Sequence, residues 1–280
     1  VGLTLNAFEG LSLDVSYYDT RTFNQTFDSQ LSVSSGYTAL YVQTGNVRNR
    51  GVELSLGYEH QWGIFGWNSN YTFSTNHNEV LELMENYTHP ETGNVISLDQ
   101  LKVGGFANAA FVLTPGGTLG DLYTTVDLNR DEFGNVYVDK DGNISRNAEI
   151  GYRKLGSVFS KANMAWNNDF NVGNLNFGFL ISARLGGIVY SATQARLDNF
   201  GVSEASALAR DNGGVMVDGY SIDPYKWYSV VGADSGIPQY YTYDATNVRL
   251  QEAHIGYTIP RKKLGGLMDI TLSLVGRNLW

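Results

Sequence analysis

Apolar and polar residues alternate along this chain over long segments, and no other sequence feature limits the fold so tightly. Leu11, Leu13, Val15 and Tyr17 alternate with Ser12, Asp14, Ser16 and Tyr18. Val52, Leu54, Leu56 and Tyr58 alternate with Glu53, Ser55, Gly57 and Glu59. Trp67, Tyr71 and Phe73 fall between Asn68, Asn70, Thr72 and Ser74. The same period runs through Leu175–Leu185, Ala253–Ile259 and Ile270–Leu274. Successive side chains of a strand point to opposite faces, so each segment acquires one apolar and one polar side. The pattern predicts about ten strands, at 3–8, 11–20, 47–60, 67–77, 104–114, 119–126, 157–168, 175–190, 247–259 and 269–278. Only the Ala-rich stretch Ser203 to Arg210 suggests a short helix.

The connections between these segments alternate in length. Glu9-Gly10, Gln61 to Gly66, Phe170 to Asn174 and Pro260 to Leu267 are short. Arg21 to Asn46, Asn78 to Gln100, Asn129 to Gly156 and Ser191 to Thr246 are long and polar. Compact soluble domains rarely contain several loops of that size. Short turns at one end and long loops at the other are how outer-membrane barrels are built, and strands of about 9–11 residues suffice to cross. Aromatics near strand ends (Tyr17, Tyr18, Tyr58, Trp62, Trp67, Tyr190, Tyr257) suit headgroup level, although strands favour aromatics in any setting. Alternation alone also fits a soluble sandwich.

Composition removes several classes. Lys and Arg total 19 against 28 Asp and Glu, a net charge of -9, where a nucleic-acid binder would carry a basic stripe. With 0 Cys there is no disulfide framework, thiolate metal site or Cys nucleophile. No apolar run approaches the ~20 residues of a membrane helix. Val1 opens directly into a strand pattern with no signal peptide, so the chain reads as a piece of something larger or a processed product.

The sequence shows no nucleophile elbow, phosphate loop or triad, and predicts no enzyme and no cofactor. His60, His77, His89 and His254 lack metal-pair spacing and read as solvated or lumen-facing. Asp127–Asp131 and Asp139–Asn143 look like acidic calcium loops. Neither has Gly at the sixth position or Glu at the twelfth, so turn formation is the stronger reading and no metal is assigned. Glu82 and Glu85 read as ordinary loop acids. Gly51 and Gly256, inside strand patterns, mark a bulge or a close backbone approach. Arg48 and Arg50 should face lumen or headgroups, since hydrocarbon tolerates neither.

Three stretches carry a family resemblance. Asn46-Val47-Arg48-Asn49-Arg50-Gly51-Val52-Glu53-Leu54 resembles a recurrent segment of SusC/RagA-type TonB-dependent transporters. Asn247-Val248-Arg249-Leu250-Gln251 through Gly256-Tyr257-Thr258-Ile259-Pro260 resembles that family's strand near the C-terminus. Gly276-Arg277-Asn278-Leu279-Trp280 resembles the strand end that follows. The motifs stand in family order. The resemblance implies an antiparallel transmembrane β-barrel of about twenty-two strands with a plugged lumen. Residues 1–280 would be a partial barrel domain of it, with the plug, the TonB-box segment and the last strands outside this chain, and Trp280 a truncation point.

It further implies an outer-membrane importer of oligosaccharides or peptides. The partners would be a SusD-like surface lipoprotein, TonB acting through the plug, and the outer-membrane lipids. Asn68, Asn70, Ser182 and Arg184 would line the passage. Tyr225, Trp227 and Tyr228, in the aromatic connection 191–246, would touch substrate or the lid protein; the alternative is that these rings only pack the loop. A passive porin-like barrel and a soluble glycan-binding β-protein are the other readings of the chain.

Overall fold

The computed structural model describes residues 1–7, 10–30, 39–43, 45–84, 87–88, 93 and 95–280. Glu9, Glu85 and His89 lie outside them. Eight antiparallel strands form one sheet in chain order: β1 (Gly2–Ala7), β2 (Leu11–Thr22), β3 (Asn46–Trp62), β4 (Phe65–Glu82), β5 (Ala162–Val172), β6 (Leu175–Leu185), β7 (Asn247–Ile259) and β8 (Ile270–Arg277). Each strand pairs with its sequence neighbours, the up-and-down order of a barrel wall. β1 and β8 pair on one side only among the described residues, so the sheet is open there.

Turns at one end are as tight as the sequence requires. Gly63-Ile64 joins β3 to β4 and Gly173-Asn174 joins β5 to β6, with Gly63 and Gly173 in the left-handed region at φ 59 and 60. Glycine carries no Cβ penalty there. Gly173 N–H donates to Ile64 O at 2.8 Å, locking adjacent turns together.

The sequence expectation of ten wall strands is corrected in three places. Segments 104–114 and 119–126 are absent from the wall. They join a separate four-stranded sheet of Leu101–Phe106, Ala109–Leu113, Asp121–Thr124 and Arg153–Ser157. Ala107 turns the chain there at φ 51, and Ala109–Leu113 and Asp121–Thr124 are almost wholly buried, which no two-faced wall strand can be. The expected strand 157–168 divides between that sheet and β5. The expected strand 175–190 breaks at Gly186-Gly187, both left-handed, leaving β6 and a short strand Ile188–Tyr190.

The connections after β4 and β6 fold together. Val126, Leu128, Val136 and Ile144 from the first share one core with Ala195, Ile222, Trp227, Val231, Ile237 and Tyr241 from the second. Three helices shape the second connection: α1 (Ala192–Asn199), α2 (Glu204–Asp211) and α3 (Pro224–Val231). The expected helix near 203–210 is α2, whose cap Ser203 accepts from Ser206 N–H. Helices α1 and α3 occupy what the sequence reading treated as polar loop. Asp223 caps α3, with Pro224 at its first turn.

Candidate functional site

The register gives the wall two chemically opposite faces. Directly paired residues share a face, so rungs can be followed across the sheet. One rung runs Thr4, Asp14, Ser55, Thr72, Ala165, Ser182, Arg249; the next runs Asn6, Ser12, Gly57, Asn70, Asn167, Leu180, Glu252. Glu59, Asn68, Asp169, Gly178 and His254 form a third, with His254 Nε2 3.5 Å from Asp169 Oδ1. Asn163 and Arg184 pair on the same side. Asn68, Asn70, Ser182 and Arg184 therefore all stand on this polar face.

The opposite face is apolar and bare. Leu13, Leu56, Tyr71, Trp166 and Ile181 form one rung. Leu56 is 39%, Trp166 43% and Ile255 50% exposed, so no second layer covers them among the described residues. A soluble sandwich would bury this face against a partner sheet.

A ring belt closes the apolar face at the short-turn end. Trp67 stacks on Phe170 at 6.2 Å, Phe170 on Phe177 at 5.1 Å and Trp62 on Phe65 at 5.8 Å. His60 joins this belt, 4.4 Å from Trp62, contrary to its expected place among polar groups. Tyr58 packs edge-on to Trp67 at 5.2 Å. Tyr190 is no belt residue; its hydroxyl donates to Ser235 O in the folded connections. At the other end Arg48 grips Asp19 with both Nε (2.9 Å) and Nη2 (2.5 Å). Ten strand steps separate Val52 from Trp62, about 33 Å at 3.3 Å per residue. Tilted by about 45°, that spans roughly the 25 Å of an outer-membrane apolar band.

Gly51 and Gly256 mark close approaches. A Cβ on Gly51 would lie 2.2 Å from Thr75 O and 2.5 Å from Tyr18 Oη, and one on Gly256 2.5 Å from Asn176 Oδ1. The register shifts fall elsewhere, at Asn46/Val47 and Leu180/Ile181.

The three aromatic candidates of the second connection do not share a surface. Tyr225 is 78% exposed, Tyr228 is half-buried and Trp227 is 6% exposed, packed edge-on against Tyr240 at 5.5 Å. Trp227 is a core residue because α3 turns that side inward with Val231. The Tyr241 phenol is pushed far above its ordinary value, chiefly by burial and then by the Asp198 carboxylate.

Asp131 and Asp139 each spend their carboxylate within their own acidic loop. Asp131 Oδ1 accepts from Phe133 N–H and Asn135 N–H, both at 2.9 Å, and Asn135 Nδ2 donates to Oδ2 at 3.2 Å. Asp139 repeats this with Asp141 N–H, Asn143 N–H and Asn143 Nδ2 at 2.9, 2.8 and 3.0 Å. Hydrogen bonds from Asn143 hold the Asp139 carboxyl below its usual range. No cluster of three or more acidic or His ligands occurs among the described residues.

No family model matches the chain. Two TonB-dependent receptors of Formosa agariphila, P3 and P39, are 24% identical over 304 residues and 22% identical over 320 residues. All of this chain is covered in both, but only 29% and 31% of those relatives. Among solved structures, the RagAB peptide importer in its closed-closed state superposes with a TM-score of 0.69 at 17% identity, and in its open-open state with 0.64 at 16%. Each match covers 100% of this chain and about 30% of the matched chain (31% and 30%). In sequence this chain is similar to TonB-dependent receptors, and its eight-stranded sheet shares the fold of part of the RagAB barrel.

Proposed function

We propose that these residues form part of the wall of an outer-membrane importer driven through TonB. The single observation that supports this most is the opposition of faces. One side offers bare apolar side chains bounded by a ring belt, and the other offers rungs in which Asn, Ser, Thr and charged groups predominate. In hydrocarbon the backbone must be satisfied within the sheet, which a paired wall achieves. The polar face, with Asn68, Asn70, Ser182 and Arg184, then lines the passage. The paired connections after β4 and β6 form a structured cap beside its mouth. Exposed Tyr225 on that cap is the contact residue for a SusD-like lipoprotein or for substrate, whose class is oligosaccharide or peptide. The work is conformational: no bond in the cargo is made or broken.

The test uses the full-length protein in its native host. It should fractionate with outer membranes and require detergent for release, and uptake of its cargo should stop when tonB is deleted. A protein that supports uptake equally without TonB would be a passive pore. Recovery in the soluble fraction would remove the membrane reading altogether.

A further inference from the structure

The apolar face of the wall carries charge at one corner only, at the long-connection end of β2, β3 and β4. Past the rung of Tyr17, Val52 and Thr75, the same face continues as Asp19, Arg50 and His77, and then as Arg21, Arg48 and Glu79. Strand alternation puts every other Lys, Arg, Asp and Glu of the eight strands on the polar face. Within the corner Arg48 is spent on Asp19, and Glu79 Oε2 lies 3.9 Å from His77 Nε2. Arg21 and Arg50 are exposed, and neither forms an ion pair among the described residues. Three guanidinium groups thus meet two carboxylates, and two of the planar forks stand free.

Val52 marks the margin of the apolar band that reaches down to Trp62. At 3.3 Å per residue and a tilt of about 45°, Arg50 stands about 5 Å and Arg48 about 9 Å beyond that margin, which is headgroup level. Below them Tyr17, Val15 and Leu13 pair with Val52, Leu54 and Leu56, a continuous apolar track down one strand pair. A cation at the edge of hydrocarbon requires a partner. A guanidinium fork matches phosphate oxygens in pairs. Arg21 and Arg50 are diagonal neighbours across β2 and β3, and such positions lie about 7–8 Å apart, so one phosphate between them meets both. Free phosphate would use the forks and leave the track bare, and a neutral lipid would use the track and leave the forks unpaired. We propose that this corner seats a phosphorylated lipid headgroup of the outer leaflet, its phosphate between Arg21 and Arg50 and an acyl chain along Tyr17 and Val52. This rests on the membrane-wall reading and adds to it a specific lipid site.

The experiment measures equilibrium binding to the full-length protein purified in a neutral detergent. The probes are diphosphoryl lipid A and the same lipid stripped of its phosphates, with millimolar inorganic phosphate as competitor. The phosphorylated lipid should bind at least about tenfold tighter than the stripped one, a difference of ~1.4 kcal/mol. The double variant Arg21→Gln/Arg50→Gln should erase that preference, and Arg50→Lys should keep part of it. The exposed basic turn at the opposite margin supplies the control: Lys262→Gln/Lys263→Gln removes the same charge and should leave the preference intact. Equal binding of the two lipids, an undiminished preference in the arginine double variant, or an equal loss in the lysine one would each overturn the proposal. Full displacement by inorganic phosphate would make the corner a free-anion site and overturn it as well. The comparison of the two lipids on the unaltered protein stands even where a variant fails to assemble. Fractionation separates the two levels. A protein released only by detergent that shows no phosphate preference sinks the lipid site alone, whereas recovery in the soluble fraction sinks the wall reading beneath it.

Discussion

The indole Nε1 of Trp67 donates to Asn168 Oδ1 at 3.0 Å across the β4–β5 pair, on the face that is otherwise apolar. Trp166 answers from the other strand, its Nε1 donating to Ser69 Oγ at 2.9 Å. Ser69 and Asn168 are direct cross-strand partners, so two diagonal bonds cross one rung. Asn168 is 1% exposed and Ser69 8%, so the two rings shield the polar pair.

Asn168→Leu should therefore destabilise the wall, since it strands a buried indole donor at a cost of about 1–3 kcal/mol. Trp67→Phe removes the donor and leaves Asn168 fully unpaired. Urea unfolding of the refolded full-length protein should show the double variant costing less than the sum of the singles, with a coupling of about 1 kcal/mol. Additive losses would mean the bond contributes nothing.

Gly51 tests the close approach between β2, β3 and β4. Tyr18 stands directly opposite and its hydroxyl occupies the space a Cβ would need. Gly51→Ala should cost about 1–3 kcal/mol through overpacking. Gly104→Ala is the control, because nothing lies within 4 Å of a Cβ there. Heat-modifiability on gels, which reports barrel assembly, should fall for the first variant and hold for the second.

The wall was legible because its signal is local. In β3 and β4 every other side chain declares its face, and Gly63 and Gly173 sit where a turn demands left-handed backbone. The resembling motif at Asn46–Leu54 falls on the start of β3. Ala109–Leu113 and Asp121–Thr124 misled because a buried sheet in a connection uses the same strand-forming residues as a wall. What separates them is burial on both sides, and that depends on partners distant in sequence. The core of the connections was illegible for the same reason: Leu128 and Trp227 meet only once both segments are folded. Asp223-Pro224 and Ser191 were available as helix-start signals for α3 and α1. Trp227, read among possible contact residues, follows the alternative given for these rings and packs the connection as a core residue.

Arg146 ties those two connections together. Its Nε donates to Val230 O at 2.8 Å, its Nη2 to Ala233 O and its Nη1 to Asp234 Oδ2 at 3.2 Å, serving carbonyls at the C-terminal end of α3. Arg146→Ala should loosen that end by about 2 kcal/mol, the value of charge-assisted bonds to partly buried acceptors. Arg146→Lys should recover little, because a point charge cannot span three acceptors. Hydrogen exchange over residues 224–241 measures this; unchanged protection would show that the core alone holds α3.

Acid should open the same connections through Asp127. Burial by itself would raise this carboxyl, but Arg130, the Leu128 N–H and Arg153 outweigh it and hold it below its ordinary value. Arg153 Nη1 lies 2.8 Å and Arg130 Nε 3.3 Å from Oδ2. Because the folded value is the lower one, the contribution is fully present above the unfolded carboxylate value of about 3.9 and fades as pH falls through the lowered folded value. Protection over residues 127–147, corrected for intrinsic exchange, should hold from neutral pH down to about 5 and decline below about 4. Asp127→Asn should start less protected at neutral pH and decline less on acidification, since the titrating group is gone. An unchanged acid limb in that variant would assign the opening to other carboxylates.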